Sequence, residues 1–125
     1  MISADTSSVI AFLQGQEEPD AKAVAKALYD GNLVLPPVVV TELLTDPKAG
    51  SSLADFLADI PILPLSEGYW ERAGRNRSML LHKGHKARLG DALAAQACID
   101  NDITLIARDR DFRHFVKFAG LKLLG

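Results

Sequence analysis

The sequence has almost no cysteine. Cys98 is the only one, so an internal disulfide is excluded and the chain suits a reducing cytoplasm. A long hydrophobic run is also missing. The longest apolar stretch, Leu33 to Val40, is interrupted by Pro36 and Pro37 and falls far short of the ~20 residues that a membrane span requires. No basic segment opens the chain. Met1-Ile2-Ser3-Ala4 runs straight into Asp5, unlike a secretory leader. No internal repeat, low-complexity tract or linker divides it. What is there is 125 residues, 48% of them apolar, the size of one domain with one core. The expectation is a single cytoplasmic domain with no membrane attachment.

The formal net charge of −2 conceals a split. Residues 1–71 hold eleven acids and three bases, a balance of −8, and residues 72–125 hold eleven bases and five acids, a balance of +6. Such asymmetry hints at a polyanion partner on one face, against the plainer reading of solvated charge. The densest basic stretch is 72–88, with Arg72, Arg75, Arg77, Lys83, Lys86 and Arg88 and no acid.

Apolar runs and helical patterns alternate along the chain. Met1 to Ala4 reads as a short buried strand. Asp5-Thr6-Ser7-Ser8 then offers cap side chains to the apolar run Val9 to Leu13, closed by Gly15. Pro19 begins a helix through Tyr29, with Val24 and Leu28 spaced i, i+4. Leu33-Val34-Leu35 is a second strand. Pro36-Pro37 stops it and allows a helix from Val38 to Thr45, ended before Pro47. Ser51 or Ser52 caps a helix through Ala58, Ile62-Leu63 is a third strand, and Ser66 caps a long helix to about Leu81. A basic loop, His82 to Leu89, leads to Gly90-Asp91 and a helix from Ala92 to Ile99. Thr104 to Ala107 is the clearest strand. A short helical turn follows Phe112, and Leu121 to Leu124 is a last edge strand. This alternation predicts an α/β fold, a parallel sheet between helices, with any ligand site outside the carboxyl ends of its strands.

Four acids fall near that edge or in odd settings. Asp5 follows the first strand, as an N-cap or as a ligand. Glu42 lies in the apolar run Val38-Val39-Val40-Thr41-Glu42-Leu43-Leu44. A carboxylate there needs a partner, either a base or a metal. Asp91 opens an Ala-rich helix, as a cap favoured by the helix dipole or as a ligand. Asp109 and Asp111 follow the strand Thr104 to Ala107, in a turn and cap or in a site. Clustered carboxylates repel and raise one another's pKa values, and a hard divalent cation relieves that. Mg²⁺ or Mn²⁺ suits such an oxygen set. An ion there could lower the pKa of a water and stabilise a leaving oxygen on phosphorus.

With these motifs in place, the chain resembles a PIN domain, most closely the VapC class of toxin–antitoxin ribonucleases. The resemblance spans nearly the whole chain. It rests on Ser3-Ala4-Asp5-Thr6-Ser7, Val40-Thr41-Glu42-Leu43, Gly90-Asp91-Ala92-Leu93-Ala94-Ala95 and Leu105-Ile106-Ala107-Arg108-Asp109-Arg110-Asp111-Phe112, in that order. It implies a PIN-like three-layer sandwich around a five-stranded parallel sheet, and metal-dependent endoribonuclease activity. It places Asp5, Glu42, Asp91 and Asp109 on the family's acidic positions, Asp111 on a more variable one, and Thr6 where a hydroxyl supports the site. It further implies a homodimer and a cognate antitoxin. With an acidic metal site nearby, the bases of 72–88 become a candidate RNA-gripping surface.

Other residues are read more plainly. None of His82, His85 and His114 adjoins the four acids, so histidine acid–base chemistry is set aside. Cys98 reads as a small core residue, and Tyr69 and Trp70 as core or dimer interface. Two other functions compete. A receiver-type phosphotransfer domain would place an adjacent acidic pair after an early strand and a Lys after a late one, whereas here Asp5 stands alone and the late strand leads to Arg108-Asp109. A degenerate PIN domain would bind RNA or protein without cleaving.

Overall fold

The computed structural model describes residues 1–124. Three short parallel strands form the sheet: β1 (Ile2–Ala4), β2 (Leu33–Val34) and β3 (Thr104–Ile106), in the order β2-β1-β3. β1 is central, with Ile2 opposite both Leu33 and Thr104, and Ala4 opposite Ile106. Seven α-helices surround the strands among the described residues: α1 (Thr6–Leu13), α2 (Pro19–Tyr29), α3 (Pro37–Thr45), α4 (Leu53–Ala58), α5 (Tyr69–His82), α6 (Leu89–Asp100) and α7 (Phe112–Ala119). A 3-10 turn, Pro47–Ala49, follows α3 and had no counterpart in the sequence reading.

The expected five-stranded sheet is corrected to three strands. The two remaining segments each join by a single parallel bridge, Leu35 to Ile62 on one side and Leu105 to Leu123 on the other. Composition explains the first: Ile62-Leu63 sits between Pro61 and Pro64, which have no N–H to extend a ladder. On the other side, Gly120 turns at φ 84° and Leu121 donates its N–H back to Phe115. Only the end of the expected Leu121 to Leu124 strand is left to lie beside β3.

Side chains alternate across the strands as a period of two requires. Leu33, Leu35, Ala4 and Ile106 face a core with Val9, Val24, Val39, Leu43 and Phe56 from α1 to α4. Val34 and Leu105 face the opposite core with Leu80, Ala95, Phe112 and Phe115 from α5 to α7. Helices therefore cover both faces. The Ala-rich helix α6 packs against α3, α5 and α7. Its Ala92, Ala94, Ala95, Ala97 and Cys98 are buried, and such small side chains let neighbouring backbones approach closely.

Most helix limits fall within a few residues of the expected ones, and most misses are at the starts. α1 begins at Thr6 rather than Val9, and α6 at Leu89 rather than Ala92. α5 is preceded by Gly68 in the left-handed region, so Ser66 does not cap it. The turn after Phe112 is a full helix of 8 residues.

Candidate metal centre

The strand order reverses at β1, between β2 and β3, where parallel α/β sheets leave a crevice at their carboxyl ends. β1 delivers Asp5 there, and β3 delivers Asp109 three residues past its end. The Asp5 N–H donates to the Ile106 carbonyl (2.9 Å), which fixes the two strand ends together. A cleft of about 370 Å³ opens at this edge, lined by Asp5, Glu42, Asp91 and Asp109 together. Asp111 is not among its lining residues.

Each acid can now be weighed against its plainer reading. Asp5 occupies the N-cap position of α1, yet its carboxyl makes no capping hydrogen bond, and the residue is only 6% exposed. Asp91 lies inside the first turn of α6, with Arg88 at the N-cap position. Its Oδ2 is buried and finds no hydrogen-bond partner in the protein. Glu42 forms no ion pair among the described residues; Thr6 Oγ1 donates to its Oε1 at 2.7 Å. Asp109 does two things. Its Oδ1 accepts from the Asp111 N–H at 2.9 Å, shaping the turn, while the residue also lines the cleft.

Burial and mutual repulsion set the electrostatics. Burial above all, then the Asp91 charge, lifts the Asp5 carboxyl to about 7, with the Thr6 N–H opposing and Glu42 and Asp109 adding. Burial, then Asp109, lifts Asp91 to about 6, partly offset by Arg88. Two acids so raised, beside two more, form a site that favours added positive charge.

The donor set fits a hard divalent cation. All candidate ligands are carboxylate oxygens, and the orphaned Asp91 Oδ2 is a buried acceptor with nothing to accept from. Gly90 supplies a further fit: a Cβ there would lie 2.7 Å from Glu42 Oε2, so glycine leaves the Glu42 carboxylate its place. Among the described residues, no three acid, His or Cys side chains are already close enough to enclose one ion. Mg²⁺ usually keeps several waters and binds through one or two carboxylates, so it does not need such an enclosure.

Sequence reasoning missed several lining residues. Asp46, Lys48 and Arg108 border the cleft with the four acids. Lys48 and Asp46 flank Pro47 in the short turn after α3, and their only signal was charge in a loop. Of the six bases of 72–88, the cleft is lined by Arg88 alone. Arg72 is forked onto Asp100 (3.1 and 2.7 Å), and Arg77 Nε donates to the Ala87 carbonyl at 2.8 Å. Arg75, Lys83 and Lys86 are exposed away from the cleft lining.

The histidines and aromatics also have places. His85 stacks on His114 with centroids 4.1 Å apart, and His82 Nδ1 lies 2.8 Å from the Ser78 carbonyl oxygen. Cys98 is a buried core residue, as expected. Tyr69 is buried and donates its hydroxyl to the Leu93 carbonyl (2.6 Å). Trp70 is exposed, in an apolar groove between α5 and α6 with Leu81 and Leu89. No helix among the described residues is long and apolar enough to cross a membrane.

Comparison with known proteins bears on the family and the fold. The PIN domain family matches residues 2–117. Among solved structures, VapBC2 from Rickettsia felis, bound to a DNA fragment from its promoter, is similar at a TM-score of 0.75 and 22% identity, covering 99% of this chain and 98% of that one. VapBC-5 from Mycobacterium tuberculosis is similar at 0.71 and 21%, covering 98% and 96%. DNA-bound VapBC from Salmonella typhimurium is similar at 0.74 and 16%, covering 99% and 98%. No curated protein matches the chain by sequence.

Proposed function

This chain belongs to the PIN-domain family, and on that premise we propose that it is a divalent-metal-dependent endoribonuclease, the toxin of a toxin–antitoxin pair. One observation carries the catalytic part. Four carboxylates, from the residue after β1, from α3, from α6 and from the segment after β3, line a single cleft, and one of them has a buried oxygen with no partner among the described residues.

In this reading Asp5, Glu42, Asp91 and Asp109 hold Mg²⁺ or Mn²⁺. When bound, the ion supplies a water made nucleophilic at neutral pH and offsets negative charge on the leaving oxygen. The protein's own part is orientation. Thr6 fixes Glu42 through its 2.7 Å hydrogen bond, Gly90 leaves Glu42 its room, and the Asp111 N–H fixes Asp109. Asp111 supports from outside the cleft lining, where its charge adds to the rise at Asp91. Arg88 and Lys48 lie at the cleft without an ion-pair partner among the described residues. In this reading both grip RNA phosphates at the cleft.

The toxin part rests on relatives. The similar structures named above are VapBC assemblies, so a cognate antitoxin belongs to the same proposal; a second copy of this chain is proposed with it on the family resemblance alone. The deciding experiment is cleavage of a labelled RNA by the purified chain, with Mn²⁺, with EDTA, and with Asp91→Asn. Cleavage in Mn²⁺ only, lost by at least about 10²-fold in the variant, is expected. Retained RNA binding with neither cleavage nor Mn²⁺ binding would instead mark a non-catalytic PIN module.

A further inference from the structure

A fixed positive charge borders the cleft, and the chain holds it aside. Arg108 lies between Ala107 and Asp109, and it lines the same cavity as the four carboxylates. A guanidinium stays charged at all working pH values. Left free, it would be drawn to the acids and would occupy the charge they offer to a cation. Among the described residues it pairs with none of Asp5, Glu42, Asp91 or Asp109.

Its partners lie instead on α2 and the segment before it. Arg108 Nε donates to Asp20 Oδ2 at 2.9 Å and its terminal nitrogen to Asp20 Oδ1 at 3.0 Å, a two-pronged grip. Gln16 Oε1 accepts at 3.3 Å, and Glu18 lies 3.8 Å away. Asp20 is itself held in place. Pro19 starts α2, Asp20 lies in its first turn, and the fully buried Ser8 donates its hydroxyl to Asp20 Oδ2 at 2.9 Å. Burial alone would raise the Asp20 carboxyl, but the hydrogen bonds from Arg108 and Ser8 outweigh it and hold it below the usual range.

We propose that Asp20 is a positioning residue that keeps the Arg108 guanidinium off the cleft carboxylates, so that they stay free for a divalent cation. The inference rests on the metal-site reading above. It makes a prediction that a structural brace does not: removing Arg108 repairs the loss caused by removing the Asp20 charge.

The test is calorimetric titration of the purified full chain with Mn²⁺ alone, so that no RNA or cleavage is involved. Asp20→Asn is expected to weaken Mn²⁺ binding about tenfold, the scale of changes just outside a metal's ligands. Asp20→Asn combined with Arg108→Ala is expected to return to within about threefold of the unsubstituted chain, and Asp20→Glu to stay near it. Melting temperatures in EDTA report the brace separately, and the double variant should not recover there. Should Asp20→Asn fail to fold, Gln16→Ala with Glu18→Gln loosens Arg108 through exposed residues and is expected to weaken Mn²⁺ about twofold to threefold. Unsubstituted chain that binds Mn²⁺ while Asp20→Asn binds it equally, or a double variant as weak as Asp20→Asn, overturns this inference alone. Unchanged affinity in the Gln16/Glu18 variant overturns it as well. No Mn²⁺ binding by the unsubstituted chain overturns the metal reading and this inference with it.

Discussion

An aspartate raised to about 7, as at Asp5, keeps its proton in the folded chain long after the unfolded chain has lost it near 3.8. Below 3.8 both states are protonated and the group contributes nothing. Between 3.8 and about 7 the folded state binds the extra proton, so stability falls as pH rises, and above 7 the full penalty is present. Asp91 acts in the same sense up to about 6. The metal-free chain is therefore expected to melt at a lower temperature at pH 8 than at pH 5.5. Asp5→Asn should remove much of that slope and stabilise the metal-free chain at pH 8 by on the order of 2 kcal/mol. Melts in EDTA across this range check it, and a flat profile for the unsubstituted chain would count against a repelling cluster. These acids were legible in the sequence because carboxylates beside strand ends or in apolar runs are costly without a partner. Gly90, Lys48 and Asp20 were not legible. Each matters through what it faces: Glu42 for Gly90, the cleft for Lys48, and Arg108, 88 positions away, for Asp20.

At the scale of elements, the bases in and after α5 divide between structural contacts and the cleft. The bases of 72–88 read as one surface, yet the fold assigns them different tasks. Arg72 ties α5 to α6 through Asp100, and Arg77 ties α5 to the loop before α6. Arg88, at the α6 N-cap position, lines the cleft. Arg88→Glu is thus expected to weaken RNA binding about tenfold at low salt and to reduce the salt slope by about one, with a much smaller effect from Arg75→Glu. Binding isotherms at several salt concentrations check this, and equal effects would restore α5 as the RNA track. Helices were legible from Pro19, Pro37, Gly15 and the i, i+4 pairs because those signals are local. Sheet width was not, because a strand is completed by its neighbour. Pro61 and Pro64 on either side of Ile62-Leu63 are a local signal of its single bridge, but nothing in Leu121 to Leu124 announces the other.

At the scale of the whole molecule, the acidic first half and the basic second half both contribute to the site. Asp5 and Glu42 from one half meet Asp91 and Asp109 from the other in a single cleft. The parallel crossovers interleave the halves, so the split in charge along the chain does not divide the site. The same assembly decides which nucleophile is at hand. Cleavage through the RNA 2′-hydroxyl needs a base for that group and an acid for the leaving oxygen, commonly histidines near pKa ~6.5. Among the described residues no histidine lines the cleft. His82 lies against the Ser78 carbonyl, and His85 and His114 stack on each other. Carboxylates that collect a cation fit attack by water instead, in line with the departing 3′-oxygen. The expected fragments carry a 5′-phosphate and a 3′-hydroxyl, and cleavage should stop in EDTA and resume with added Mg²⁺ or Mn²⁺. End-labelling settles the point, because a 2′,3′-cyclic phosphate would move the chemistry from the four acids to a histidine.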